Sequence, residues 1–272
     1  MLFKSKVLIT LMLILFLQFF ASAQKYRGGL FDIGLAIGAA NYSGDLSQKN
    51  INIPFTRPMI GIYGRKSLSP YFQWRIQASY AQLAADDAKS KNYKQRNINF
   101  KTDLIELNST IEFNFLKYGI NSSSKELDFT SYVFLGLGAF YFNPKAVYND
   151  QEISLRDLRT ENKSYARVQP AIPYGIGIKF SKTRRFELGF EIGMRKLMTD
   201  YLDDVSGNYP NYNQLEADRG LASARASHPQ VYNGNLPANP GQNRGDNHLT
   251  DYYMFTNITL SFRFVKRDAC PY

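Results

Sequence analysis

The sequence predicts an all-β fold, a transmembrane antiparallel up-and-down β-barrel of eight strands with long external loops. Eight segments of the 272-residue chain alternate apolar residues with small or polar ones, which is the period-two pattern of β-strands. The faces opposite the apolar ones are rich in Gly, Ala and Ser and carry a few charges of both signs, which suits the interior of a narrow closed barrel. Long and short connections alternate between the segments, as they do in outer-membrane barrels.

The first 23 residues are predicted to be a cleaved signal peptide. Two lysines precede a mostly apolar run over 7–20, and residues 21–23, Ala-Ser-Ala, form a small-residue cleavage pattern. The run is shorter than the roughly 20 residues that a spanning helix needs, and a signal anchor is the alternative. We therefore divide the chain into a signal peptide over 1–23, a barrel over 24–265 and a periplasmic tail over 266–272.

The first four strand segments cover 30–39, 58–66, 72–80 and 105–115. In the first of them Phe31, Ile33 and Leu35 share one face, and the third and fourth alternate as clearly. The second is weaker, because only Ile60 and Ile62 mark its apolar face. Helical periodicity is scarce throughout, so these segments are predicted to be strands.

The last four segments cover 131–142, 172–180, 186–195 and 254–264. The segment 131–142 is apolar on both faces, although Gly136 and Gly138 still fall on one side. The glycine pairs at 136–138 and 175–177 lack the third glycine and the following helix of a nucleotide-binding loop. We interpret them as small residues that face the lumen.

Eight charged residues on the small-residue faces are predicted to project into the lumen. They are Arg75, Glu106, Glu112, Lys179, Glu187, Glu191, Arg195 and Arg263. Such a set suits a catalytic or ion-conducting constellation, or salt bridges that plug a small barrel. An eight-stranded interior is only wide enough to be filled by side chains, which favours the salt-bridged plug.

The connections set the predicted topology. If the chain starts on the periplasmic side, the external loops cover about 42–57, 85–99, 143–168 and 199–250, and the periplasmic turns about 67–70, 117–128 and 181–185. An even number of strands then leaves both termini in the periplasm.

Composition speaks against several classes of function. Removal of the signal peptide leaves 31 basic against 23 acidic residues, but the basic residues are scattered and an exported chain seldom meets nucleic acid. The two histidines, His228 and His248, are too few for a usual zinc site. The sequence has no G-x-S-x-G motif and no recognisable nucleophile-and-base spacing. We expect no enzyme activity, catalytic residue, cofactor, bound metal or small-molecule substrate.

The stretch that follows the seventh segment, TDYLDDVSGNYPNYNQL, carries no regular hydrophobic period. Its Asp200, Asp203, Asp204 and Gly207 faintly resemble a calcium loop, but their spacing departs from that motif and no glutamate closes it. We interpret these four residues as the root of a long external loop. Its tyrosines are expected near the membrane interface, where aromatic residues gather.

Five stretches of the sequence carry a family resemblance. They are FDIGLAIGAANYSGDL (31–46), FLGLGAFYFNPKA (134–146), IPYGIGIKF (172–180), EIGMRKLMTDYLDDVSGNYP (191–210) and DYYMFTNITLSFRF (251–264). Across nearly the whole mature length, the chain resembles the PorG-type outer-membrane proteins of the Bacteroidota type IX secretion system. The resemblance implies an integral barrel that anchors a ring of PorK and PorN beneath the outer membrane. It also makes the stretch around Asp203 a signature of the family.

Two other classes of function stay open for a barrel of this size. One is a small structural or adhesive barrel that binds external ligands through its loop over 199–250. The other is a porin-like channel, which a lumen filled by side chains would not support.

The C-terminal tail holds the one cysteine of the chain, Cys270, so no internal disulfide can form. Pro271 cannot extend a strand ladder, and the charged residues suit a wet surface. A frayed terminus is the simplest interpretation. Our hypothesis is that Lys266, Arg267, Cys270 and Tyr272 contact a periplasmic partner, with Cys270 able to form an intermolecular disulfide in that oxidising compartment.

Overall fold

The computed structural model describes residues 30–47, 53–89, 93–119, 127–148, 151–182, 185–246 and 250–264. Its strands are β1 (Phe31–Ser43), β2 (Arg57–Ser67), β3 (Phe72–Asp86), β4 (Asn99–Asn114), β5 (Asp128–Phe142), β6 (Lys145–Tyr148), β7 (Gln151–Ser154), β8 (Val168–Ser181), β9 (Phe186–Leu197) and β10 (Tyr252–Phe264). Its α-helices are α1 (Leu155–Leu158), α2 (Tyr212–Arg219) and α3 (Leu221–Ser227). Short 3₁₀ turns lie at Ile53–Phe55, Asp87–Lys89 and Pro229–Asn233.

Eight of the strands form a closed antiparallel barrel, which confirms the predicted fold class. Each barrel strand pairs with its neighbour in the chain, and β5 pairs with β8 across the β6–β7 hairpin. The first and last strands close the barrel over their whole length, from Phe31 opposite Phe264 to Ser43 opposite Tyr252. Closure leaves no strand edge unpaired, which a bilayer demands. None of the described helices is long and apolar enough to cross a membrane.

The inward and outward faces are those that the alternation predicted. Along β1, the outward Leu35 and Ile37 are 48% and 58% exposed, whereas the inward Asp32 and Ala36 are buried. The same alternation of exposed and buried residues runs through β3, β4 and β9. The exterior is therefore apolar and the interior polar, the reverse of a water-soluble barrel.

The apolar exterior is bounded by two different rims. At the end of the short turns the rim consists of phenylalanines, with ring centroids 6.0 Å apart for Phe31 and Phe264 and 5.2 Å apart for Phe72 and Phe113. At the other end Tyr80 donates a hydrogen bond to Asp103 (2.6 Å). From Phe72 to Tyr80 the tilted strand rises by about 20–25 Å, the height of the apolar band of outer-membrane barrels.

The connections divide between the two ends as predicted. The described parts of the turns at 68–71, 115–127 and 182–185 lie at the phenylalanine rim, and those of the connections at 44–56, 87–98, 143–167 and 198–251 lie at the other end. The strands β1, β3 and β4 extend several residues beyond the predicted segments on the long-loop side. These extensions carry the long loops beyond the apolar band. There the described parts of the four long connections pack together, and we call them the cap.

Candidate functional site

The lumen contains a network of buried ion pairs centred on Glu112. This carboxylate, on β4, is fully buried and receives three cations: Lys179 Nζ at 2.7 Å, Arg75 Nη1 at 3.3 Å and Arg65 Nη1 at 3.5 Å. Arg75 also pairs with Glu191 at 2.6 Å. One carboxylate therefore holds together side chains from three other strands.

A second part of the network lies nearer the short turns and includes two residues absent from the predicted lumen set. Asp32 pairs with Arg65 at 2.8 Å and with Arg263 at 3.1 Å. Arg263 also pairs with Glu187 at 2.9 Å, and Glu187 contacts Arg65 as well. The missed pair, Asp32 and Arg65, lies on the inward face of its strands by parity alone. That signal was available in the sequence.

The remaining pair lies toward the long loops. Glu106 accepts a hydrogen bond from Arg195 Nε (3.2 Å) and one from the hydroxyl of Tyr253. The Arg195 guanidinium packs 4.1 Å from the ring centroid of Phe255. All eight predicted residues thus face the lumen and take part in ion pairs.

The described lumen charges balance one another. Five cations oppose five carboxylates, and none of the ten residues is more than 5% exposed: Arg65, Arg75, Lys179, Arg195, Arg263, Asp32, Glu106, Glu112, Glu187 and Glu191. Tyrosine rings occupy the space between them, and glycines make room for those rings. A Cβ on Gly177 would lie 2.5 Å from the ring of Tyr132, and one on Gly34 would lie 2.3 Å from the ring of Tyr63. The interior is a neutral, packed plug.

Three of the four residues of the predicted loop root, Asp203, Asp204 and Gly207, make hydrogen bonds that hold the cap together. Asp203 accepts hydrogen bonds from the Tyr42 hydroxyl (2.5 Å) and from its own loop at the amide of Val205 (2.9 Å). Asp204 has a left-handed backbone (φ 68°) and accepts a hydrogen bond from the Tyr165 hydroxyl (2.8 Å). These contacts tie the long loop to β1 and to the loop after β5.

Gly207 continues this arrangement through a buried carboxylate. Its amide donates to Glu161 (2.9 Å), and Glu161 pairs with Arg244 at 3.0 Å. The carbonyl of Gly207 accepts hydrogen bonds from the amides of Arg244 (2.8 Å) and Gly245 (2.9 Å). The loop root therefore connects the loop after β5, through Glu161, to the later part of the long loop, at Arg244 and Gly245.

Two tyrosines of the loop root pack within the cap. Tyr209 was expected at the membrane interface, and this is wrong: its ring is buried in the cap, 5.0 Å from the ring of His228. Tyr201 likewise stacks on Tyr165 within the cap, at 5.0 Å. The described residues contain no group of three His, Cys, Asp or Glu side chains arranged to hold a metal ion. Asp203 and Asp204 instead accept hydrogen bonds from the protein.

Several carboxyl groups in the cap have raised pKa values because they are buried close to one another. Burial raises the pKa of Asp200 to about 7 and that of Asp204 to about 6. The pKa values of Asp203 and Asp251 are raised as well, by burial first and then by repulsion from neighbouring carboxylates. The folded cap therefore binds protons more tightly than an unfolded loop, whose Asp residues titrate near pH 3.9.

This difference gives the cap an expected pH dependence. Stability conferred by a raised carboxyl pKa is fully present below the unfolded pKa, about pH 4, and is lost progressively as the pH rises to the folded values of about 6–7. Hydrogen exchange of the amides at 201–207, corrected for intrinsic rates, is expected to be about tenfold slower at pH 5 than at pH 8. Asp200→Asn should flatten this profile, and Asp218→Asn on the exposed face of α2 should not. Equal protection at both pH values would show that the buried carboxyl groups do not set the stability of the cap.

The predicted partner-binding residues of the tail, Lys266, Arg267, Cys270 and Tyr272, lie outside the described residues, as does the signal peptide. The described part of the short-turn end is nevertheless distinctive. It exposes four basic side chains and two leucines: Lys66, Lys117, Lys182, Arg185, Leu116 and Leu127. We call these six residues the short-turn face.

The fold and the plugged lumen define the class of protein: a closed eight-stranded barrel of the outer-membrane type. The chain belongs to the family described as Domain of unknown function (DUF6089), whose model matches residues 5–271. No curated protein matches the sequence significantly.

Solved structures with a similar fold are outer-membrane barrels of low sequence identity. Ail, the attachment invasion locus protein of Yersinia pestis, was solved in complex with the heparin analogue sucrose octasulfate; it is 10% identical, with a TM-score of 0.42 over 87% of this chain and 99% of Ail. Neisserial surface protein A is 8% identical, with a TM-score of 0.41 over 87% of this chain and 99% of that one. OprG from Pseudomonas aeruginosa is 9% identical, with a TM-score of 0.39 over 89% and 99%.

Proposed function

We propose that this protein is a non-enzymatic, integral outer-membrane barrel that anchors the PorK/PorN-type periplasmic ring of a type IX secretion system. The proposal combines the family resemblance of the sequence with one structural observation, the neutral, packed lumen. A barrel whose interior is filled by ion pairs and tyrosines offers no path through the membrane. Its activity then resides in what its two ends bind, which is the role of an anchor.

The proposed orientation places both termini and the short-turn face in the periplasm. The apolar belt between the phenylalanine and tyrosine rims would be in contact with outer-membrane lipid. Exposed basic side chains such as Lys182 and Arg185 favour a partner with an acidic surface, because complementary charge steers association and fixes the register of an interface. Leu116 and Leu127, 52% and 61% exposed, supply apolar area for the same contact.

The direct test is co-purification of the ring with charge-reversed barrels. We expect Lys182→Glu together with Arg185→Glu to lower the amount of ring protein retained from solubilised outer membranes at least tenfold, because charge of the wrong sign repels a complementary partner. The matched control, Lys94→Glu together with Lys163→Glu, makes the same change of charge on exposed residues of the cap. It should retain the ring.

Two further measurements separate this proposal from its alternatives. A chain that ends at Lys266, beside Cys270→Ser on non-reducing gels, tests whether the tail contributes to the contact. Conductance measured in planar bilayers tests the channel alternative. Steady ion conductance by the folded barrel would contradict an anchor with a closed lumen. Equal ring retention by both charge-reversed proteins and by the shortened chain would overturn the assignment of the contact to this end.

A further inference from the structure

The cap contains a cavity of about 850 Å³ at the end opposite the short-turn face. Three segments line it: the loop after β1, the loop between β3 and β4, and the long loop before β10. Such a volume lies within the range of small-molecule binding sites. Neither the plugged lumen nor the proposed anchoring role uses it.

Hydrogen bonds between the three segments hold the walls of the cavity in place. Arg96 donates to the carbonyl of Asp45 (3.0 Å) and to that of Arg244 (2.5 Å). A salt bridge to Asp87 at 2.7 Å fixes the same guanidinium. The amide of Tyr209 donates to the carbonyl of Gln242 (2.8 Å) and closes the far wall. The cavity is therefore preformed, which lowers the entropic cost of binding.

The lining is polar and rich in amide side chains. It includes five of them: Gln95, Gln230, Asn235, Gln242 and Asn243. Each amide offers both donors and an acceptor in one plane, which matches a ligand whose groups both donate and accept, as hydroxyls do. Tyr93 adds an aromatic ring that is 38% exposed.

The charges of the lining argue against an ionic ligand. The two arginines are already neutralised, Arg96 by Asp87 and Arg244 by Glu161 at 3.0 Å. Asp45 and Asp246 also lie in the wall and would repel a phosphate or sulfate. An apolar ligand is disfavoured as well, because Leu236 and Ala238 are the two aliphatic side chains of the described lining.

We propose that this cavity binds a neutral oligosaccharide through its amide side chains and the ring of Tyr93. A sugar ring presents hydroxyl donors and acceptors around its edge and an apolar C–H face. The amides match the hydroxyls, and an exposed tyrosine ring matches the C–H face. A short peptide would use the amides as well, but it would have no particular need for the flat aromatic face.

The test uses the full barrel in lauryldimethylamine oxide, a detergent without a sugar head group. Maltotetraose, chitotetraose and mannotetraose are titrated separately by calorimetry. Sucrose octasulfate serves as an ionic comparison ligand and an uncharged tetrapeptide amide as a peptide comparison ligand. We expect at least one neutral tetrasaccharide to bind with a Kd on the order of 1 mM or tighter. The proposal would be overturned if only sucrose octasulfate or the tetrapeptide amide bound, or if none of the ligands bound.

Two substitutions assign the binding to this cavity. Tyr93→Ala removes an exposed ring and should weaken saccharide binding about five- to tenfold. Gln230→Leu replaces an amide side chain of the lining with an aliphatic one and should also weaken binding. Gln214→Ala changes an exposed glutamine of α2 outside the lining and should leave affinity unchanged. If Gln230→Leu folds poorly, Tyr93→Ala alone still decides, since unchanged affinity in that protein would place any binding elsewhere.

Discussion

Replacement of Glu112 by alanine is expected to lower the free energy of unfolding of the barrel by about 3–5 kcal/mol. The carboxylate is fully buried and is shared by Lys179, Arg75 and Arg65. Removing it leaves buried positive charge that is no longer compensated, and the cost of keeping such charge out of water is not recovered elsewhere. Guanidinium unfolding in lipid vesicles, followed by the fluorescence of the single tryptophan, Trp74, on the exterior of β3, measures the loss.

The control removes a carboxylate that likewise pairs with more than one cation, but at the surface. Glu152 pairs with Lys101 and with Lys145 in side chains that are 38–50% exposed, so Glu152→Ala should cause no measurable loss. Combining Glu112→Ala with Lys179→Met removes one charge of each sign and should restore part of the stability. Equal stability of Glu112→Ala and Glu152→Ala would show that the lumen charges do not form one coupled network.

The barrel was predictable because its determinants are local. Parity along each strand separates residues that face the lumen from those that face outward, and it correctly places Glu112 inside and Leu260 outside. The same rule applied strictly also places Asp32 and Arg65 inside. Both are absent from the predicted lumen set although parity alone places them inside.

The cap was not predictable in the same way because its contacts join distant parts of the sequence. The hydroxyl of Tyr42 contacts Asp203, 161 positions away, and Asp251, 209 positions away. No period in the sequence encodes such contacts, and the residues that make them read locally as loop. Tyr209 illustrates the consequence: its neighbours suggested a membrane interface, whereas packing against His228 buries it in the cap.

The cavity shows the same limit for a candidate site. Its lining combines Asp45, Arg96 and Gln230, which belong to three separate loops, and none of these residues lies in a recognisable motif. Only the folded arrangement shows that five amide side chains and the ring of Tyr93 meet there. Sequence reasoning could assign an external-ligand role to the long loop in general terms. It could not provide the chemistry of the ligand.

The second large effect is expected on the exterior of the barrel. Leu260 is 51% exposed and lies at mid-height of the apolar belt, opposite Leu35 on β1 and Leu188 on β9. In a bilayer, Leu260→Arg places a guanidinium against hydrocarbon and should cost about 2–4 kcal/mol. Ile176→Arg, between Val133 and Ile192, should behave alike.

A matched substitution separates the effect of lipid from that of the arginine itself. Leu221 is 43% exposed on α3 in the cap, so Leu221→Arg makes the same chemical change in a region expected to face water and should cost little. Folding into vesicles is measured by the faster gel migration of unboiled barrel and by guanidinium unfolding. Because hydrocarbon penalises the guanidinium at one site and water solvates it at the other, the difference between Leu260→Arg and Leu221→Arg reports the environment of the belt. If both proteins fold with equal yield and equal stability, the exterior of this barrel does not contact lipid.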